Sequence, residues 1–286
     1  MTIRVDAHHH LWDTGRREHA WMDGPWADPL RGRFDEAALA ALAGPHGIGA
    51  SVVVQSLADE AETGELLAVA AGSGLVRGVV GWVDLTAPDV ADALAGLREG
   101  PGGERLLGVR HLVQDEADPE WLLRPDVRHG LAAVGRAGLV YDLLVRPAQL
   151  PAAVRVVREL PGVAFVLDHL AKPDIAGRAD PGSGAWARGL AGLAAAPNVA
   201  AKLSGLVTEA DPRAWTPADL APYAYRALEL FGPDRLMFGS DWPVCTLAAS
   251  YGEVVAAADE LLAALSGAER AEVLAGTATR WYGLTS

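Results

Sequence analysis

The chain has 286 residues, half of them apolar by type, with 24 basic against 37 acidic side chains and a formal charge of −13. That surplus of negative charge excludes a phosphate-backbone partner, which needs a basic surface, and otherwise reads as solubility. One cysteine cannot close an internal disulfide, no basic start leads into an apolar run, and no apolar stretch reaches the roughly 20 residues that span a bilayer. The expectation is a globular, cytoplasmic protein without nucleic-acid or membrane partners, its oligomeric state left open.

Runs rich in Val, Ile and Leu predict strands at Ile3–Ala7, Ala50–Gln55, Val76–Val83, Leu107–Leu112, Leu139–Val145, Ala164–Asp168, Val199–Leu203 and Arg235–Gly239. Between them, Ala/Leu/Arg/Glu-rich stretches with helical spacing predict helices at Asp35–Ala43, Glu60–Ala71, Pro88–Leu97, Val127–Ala137, Pro151–Glu159, Ala185–Ala195 and Pro217–Phe231, with a closing pair from Tyr251 and Ala268. Most strand runs are apolar throughout rather than alternating, as strands covered on both faces are. Eight strand–helix units in 286 residues give about 36 residues each, the scale of a (β/α)8 barrel forming one domain over 1–286. An open doubly wound sheet is the competing arrangement, but it calls for a glycine-rich turn after the first strand. Ala7-His8-His9-His10 contains no glycine. Two long loops, Asp13–Arg33 and Lys172–Gly184, follow strand ends, where barrels build substrate walls.

Barrel chemistry collects at the C-terminal edge of the strands. There the sequence sets His8, His9 and His10, then Gln55, Trp82, Asp84, Arg110 and His111. Tyr141, Asp142, Asp168, His169, Lys172, Lys202, Ser204, Asp241 and Trp242 follow. Alternation along an extended chain puts His8 and His10 on one side and His9 on the other. A lone histidine at such a position is ordinarily a hydrogen-bonded filler. A pair joined by His169 and Asp241 can instead hold one divalent ion, or serve proton transfer and carbonyl polarisation without a metal.

Asp6-Ala-His-x-His-Leu-Trp-Asp13 and Phe238-Gly-Ser-Asp-Trp-Pro243 resemble motifs of the amidohydrolase superfamily. The segments Gly81-Trp-Val-Asp-Leu85, Gly108-Val-Arg-His111, Asp168-His-Leu-Ala-Lys-Pro173 and Lys202-Leu-Ser-Gly-Leu206 are similar to its sugar-lactonase branch, which includes L-fuconolactone and L-rhamnonolactone hydrolases. The resemblance runs from Asp6 to Gly283. It implies a TIM-like barrel, a small lactone as substrate, and a catalytic set of His8, His10, His169 and Asp241. Asp241 would handle the water proton. The same four would hold a single metal, zinc being the first choice, although the branch includes members that work without one. The strand ends offer no lysine or glutamate at the position where two-metal members carry a bridge.

Arg110, His111, Trp82, Lys172, Ser204 and Trp242 are the candidates for substrate binding, with Trp12 and Trp21 as further indole walls. Arg110 has a plainer alternative, an ion pair within the barrel mouth, with Asp142 the nearest partner in the sequence reading. Trp121, Trp186, Trp215 and Trp281 read as core, and Cys245 as an inert buried thiol. Two other functions compete: a metal-dependent, non-oxidative decarboxylase of the same superfamily, and a barrel that binds a sugar acid without turnover.

Overall fold

The computed structural model describes residues 3–284; the outermost residues of the expected domain, 1–2 and 285–286, lie outside them. Eight parallel strands follow one another around a single sheet in chain order: Arg4–His9, Ile48–Val54, Val76–Gly81, Leu106–His111, Val140–Leu143, Ala164–Leu167, Val199–Leu203 and Leu236–Phe238. A parallel bridge between His9 and Trp242 joins the last strand to the first. There the His10 and Asp241 amides donate to the Trp242 and His8 carbonyls at 2.6 and 2.8 Å. This is the expected (β/α)8 barrel, with both faces of each strand covered. No helix among the described residues is long and apolar enough to cross a membrane.

The surrounding helices form where apolar residues recur at helical spacing. Leu150–Glu159 buries Leu150, Ala153 and Val157 along one stripe. Tyr251–Leu261 opens with a capping box, in which Ser250 and Glu253 satisfy each other's exposed amides. These helices pack on the outer face of the sheet and carry the large core. The barrel interior is narrower and holds small residues: Val5, Val52, Val80, Val140, Val166 and Ala200. Ala275, Ala278 and Tyr282 of the closing C-terminal segment join that interior.

The inner packing positions the polar residues above it. Side chains two places apart on a strand share a face. Val140 is therefore followed inside the barrel by Asp142, Val166 by Asp168, and Ala200 by Lys202. All three polar residues are fully buried.

Candidate active site

The first strand breaks that alternation in a useful way. Asp6 pairs with Ser51 and His9 with Val53, so this strand carries one residue more than its neighbour, a β-bulge. Ala7 still packs with the barrel interior. The extra residue turns His8 inward as well, then His9 outward and His10 inward. The Asp6 carboxylate secures the bulge, accepting the His8 amide at 3.2 Å, the Ser240 amide at 2.8 Å and the Tyr251 hydroxyl at 3.1 Å. Burial pushes the Asp6 pKa up to about 6 against those hydrogen bonds. On the outward side, His9 Nε2 meets Ser51 Oγ at 3.0 Å.

Strained backbone presents the other two members of the set. Four consecutive non-glycine residues, His169, Leu170, Ala171 and Lys172, have φ of 51°, 49°, 58° and 52°, and Asp241 has φ 57°. Left-handed backbone costs an L-residue roughly 1–2 kcal/mol, and such strain collects at functional sites. The turn is held by the Trp186 indole, which donates to the Leu170 carbonyl at 2.7 Å. It carries His169 and Lys172 toward the same cavity. Gly205, at φ 64°, passes so close that a Cβ there would sit 2.5 Å from His169 Nδ1.

The side chains converge on one carboxylate oxygen. Asp241 Oδ1 lies 3.7, 3.5 and 3.8 Å from Nε2 of His8, His10 and His169. His8 and His10 bring their Nε2 atoms within 3.2 Å of each other. The far nitrogens are anchored: His10 Nδ1 on the Val54 carbonyl at 2.8 Å, His169 Nδ1 on Ser204 Oγ at 2.9 Å. A carbonyl only accepts, so His10 Nδ1 carries a proton and donates it there, leaving Nε2 turned inward. Burial holds His169 down to about pKa 4, against the pull of Asp241 and Asp168. Burial also holds His8 well below the ordinary histidine range. For Asp241, burial pushes upward, but His169, His10 and His8 outweigh it and keep the carboxylate ionised.

Imidazole nitrogens facing a carboxylate make a donor set for one divalent cation. Donor atoms of His8, His169 and Asp241 all lie within 4.8 Å of one another, the cluster of this kind among the described residues. Zinc bonds of about 2.0–2.1 Å place tetrahedral ligands about 3.4 Å apart, so the set fits after slight contraction. His10 stands beside it.

A buried charged layer lies beneath. Arg110 donates to Asp168 Oδ2 and Gln55 Oε1, each at 3.0 Å, and to the Gln55 carbonyl. Lys202 contacts Asp142, and Asp168 Oδ1 at 3.0 Å. Above the floor opens a cavity of about 300 Å³, with His10, His169, Asp241 and Arg110 at its base. Trp12, Trp21 and Trp26 form one wall, and Arg146, Lys172 and Glu209 line another part.

A family model described as amidohydrolase matches residues 5–284. The chain belongs to the amidohydrolase family. Its relatives include an L-fucono-1,5-lactonase of Burkholderia multivorans, 40% identical across 99% of this chain and 96% of that one. A second L-fucono-1,5-lactonase, from Burkholderia ambifaria, is 38% identical over the same shares. A crystal structure of a Burkholderia multivorans amidohydrolase with bound zinc superposes with a TM-score of 0.91, at 40% identity, covering 99% of this chain and 100% of that one.

In this amidohydrolase the structure brings His8, His10, His169 and Asp241 together, with Arg110 and Lys172 at the same cavity. Trp82, His111, Ser204 and Trp242 lie outside the residues that line it. Arg110 turns inward, so His111, its neighbour on the strand, turns outward. There His111 stacks on Trp121 at 4.4 Å, donates to Glu116 at 2.7 Å and accepts the Trp82 indole at 3.1 Å. Trp242 is buried edge-on against Phe34 at the barrel seam. Ser204 sits behind His169. Arg110 pairs with Asp168, not Asp142, because Lys202 and Tyr282 occupy Asp142.

Cys245 is buried, as expected. Sequence reasoning gave no role to Asp6, Trp26 or Glu209, nor to Ser56, which also lines the cavity. The Asp6-Ala-His-x-His pattern held the only signal for Asp6. Glu209 follows the seventh strand by six residues on a one-turn helix, Leu206–Glu209, too short to be seen in periodicity. Its Oε1 faces Lys172 Nζ at 3.7 Å.

Proposed function

We propose that this amidohydrolase opens a small sugar lactone to its hydroxy acid, with L-fucono-1,5-lactone the first substrate to test. The observation that carries this reading is the convergence of three imidazole Nε2 atoms on Asp241 Oδ1 at the floor of a cavity of sugar size. Relatives matched over 96% of their own length, at 40% and 38% identity, carry that lactonase name.

Asp241, ionised and facing the cavity, accepts a proton from the attacking water. Water oxygen bonds to the lactone carbonyl carbon, the ring C–O bond breaks, and the proton passes from Asp241 to the departing ring oxygen. Arg110 is held rigid by Asp168 and Gln55, so its guanidinium acts as a fixed donor toward the carbonyl oxygen as negative charge develops. His10 and His169 turn their Nε2 atoms toward the reacting centre and orient the water. Lys172 and Glu209 offer a donor and an acceptor to ring hydroxyls, and the tryptophans wall the apolar face of the sugar.

His8, His169 and Asp241, with His10 beside them, would hold one divalent ion, zinc by its preference for such ligands, which when bound supplies Lewis-acid polarisation of the carbonyl. The zinc of the Burkholderia relative supports that choice.

The test is a pH-indicator screen of aldonolactones with and without chelator. Acid release from L-fucono-1,5-lactone is the expected result, and its sensitivity to chelation reports whether an ion takes part. Absence of acid release from every aldonolactone, in protein loaded with zinc and in protein stripped of it, would end the lactonase reading.

A further inference from the structure

Below the catalytic floor lies a charge cluster that touches no substrate. Lys202 is fully buried on the seventh strand. Its ammonium meets Asp142, reaches Asp168 Oδ1 at 3.0 Å and lies 3.2 Å from His8 Nδ1. His8 Nδ1 is also 3.2 Å from Asp168 Oδ1. One ring nitrogen therefore has a donor and an acceptor at the same distance, and the ring is held from two sides. Asp142 is fixed in turn from the closed end of the barrel, where the Tyr282 hydroxyl donates to its two oxygens at 2.8 and 2.9 Å. Tyr282 ends the helix Thr277–Tyr282, which packs its ring inside the barrel with Ala275 and Ala278.

An unbroken file of contacts thus runs from the last helix, through the barrel axis, to the imidazole that faces Asp241. Taking an ammonium out of water is costly, and an apolar side chain of similar volume would fill the same space without that cost. Packing alone leaves the cation at this spot unexplained. Its contact with His8 supplies a reason, since partners on the far nitrogen of a working imidazole fix its orientation.

We propose that Lys202 is a positioning residue for His8, held in register by Asp142 and Tyr282, so that the C-terminal helix sets the aim of His8 Nε2 at the catalytic floor. The inference rests on the lactonase reading for its kinetic consequence, but not for its structural one. Replacing Lys202 with Met leaves Asp142 and Asp168 without their shared cation and can prevent folding. The primary variant is therefore Tyr282→Phe, which keeps the ring among its alanines and removes only the hydroxyl.

The experiment compares wild type and Tyr282→Phe by lactone kinetics, by thermal melting, and by 15N NMR of the histidine rings with His8 assigned through a His8→Asn control. The expected result is a kcat lowered about tenfold, at the lower end of what outer partners contribute. KM should hold within about twofold, and the His8 ring resonances should shift in a folded protein. Unchanged His8 resonances overturn the proposal whatever the substrate, as does a shift that leaves kcat unchanged. A kcat loss that only tracks loss of folded protein overturns it too. If wild type fails on every lactone, the functional reading falls separately, while the His8 resonances still decide the positioning role. Asp142→Asn combined with Lys202→Met, which removes both charges together, is the second variant and is expected to shift the same resonances.

Discussion

His169 divides its ring between two partners: Nδ1 meets Ser204 Oγ at 2.9 Å, while Nε2 faces Asp241 Oδ1 at 3.8 Å. The hydroxyl behind the ring fixes which way the working nitrogen points. Ser204→Ala should leave the fold intact, since it trims only a hydroxyl from a small side chain, and release the imidazole. Lactonase activity and zinc affinity are expected to fall about 10–100-fold. Wild-type values for both in Ser204→Ala would show that the left-handed turn alone orients His169.

The turn itself can be tested at Gly205. Its φ of 64° suits glycine, and a Cβ there would approach His169 Nδ1 to 2.5 Å. Gly205→Ala must move either the imidazole or its own backbone. Melting should show a loss on the order of 1–2 kcal/mol, with activity reduced more than stability explains. A variant with full activity at 25 °C would mean that the ring has slack which the packing does not reveal.

Stability should fall as the solution is acidified from about pH 7.5 to about pH 6. His9 and His169 are held by burial down to about pKa 3 and about 4, and His8 is depressed well below the ordinary value as well. An unfolded histidine takes up its proton near about pH 6.5. Below that point the unfolded chain binds more protons than the folded one, so unfolding gains. Asp6 and Asp142 act in the opposite sense, because burial raises the folded pKa of each to about 6, and their uptake of protons around that pH offsets part of the loss. A melting temperature that rises between about pH 7.5 and about pH 6 would contradict this balance.

Trp21 lines the cavity, yet its indole nitrogen finds no hydrogen-bond partner. The nitrogen is buried as well as unpartnered, so a ring hydroxyl takes this donor only once the loop from Asp13 to Arg33 shifts to uncover it. Trp21→Phe keeps most of the wall and removes the donor. KM should rise about 2–10-fold, the range of one net hydrogen bond, with kcat nearly constant. Should kcat fall instead, the loop from Asp13 to Arg33 would be acting on the reacting centre and not merely on substrate binding.

Most of the frame was legible in the sequence because barrel strands and their helices write themselves as apolar runs and helical stripes. The strand ends were legible too, which is how His8, His10, His169 and Asp241 were found. Facing was harder. His111 and Trp82 sit at strand ends, but Arg110 already takes the inward position next to His111, and the chain leaves the sheet at Trp82, whose amide donates to Thr63 Oγ1 at 2.8 Å. The bulge that turns both Ala7 and His8 inward leaves no mark in composition. Long-range pairings were beyond reach as well: Arg110 with Asp168, and Tyr282 with Asp142, depend on which inward positions share a level in the barrel.

Asp241 is the group proposed to move the water proton. The most direct measurement is hydrolysis of L-fucono-1,5-lactone by Asp241→Asn, with circular dichroism confirming the fold. The expected result is a fall in kcat of about 10² or more, the scale of a lost general base. Near-wild-type turnover by the folded variant would contradict it.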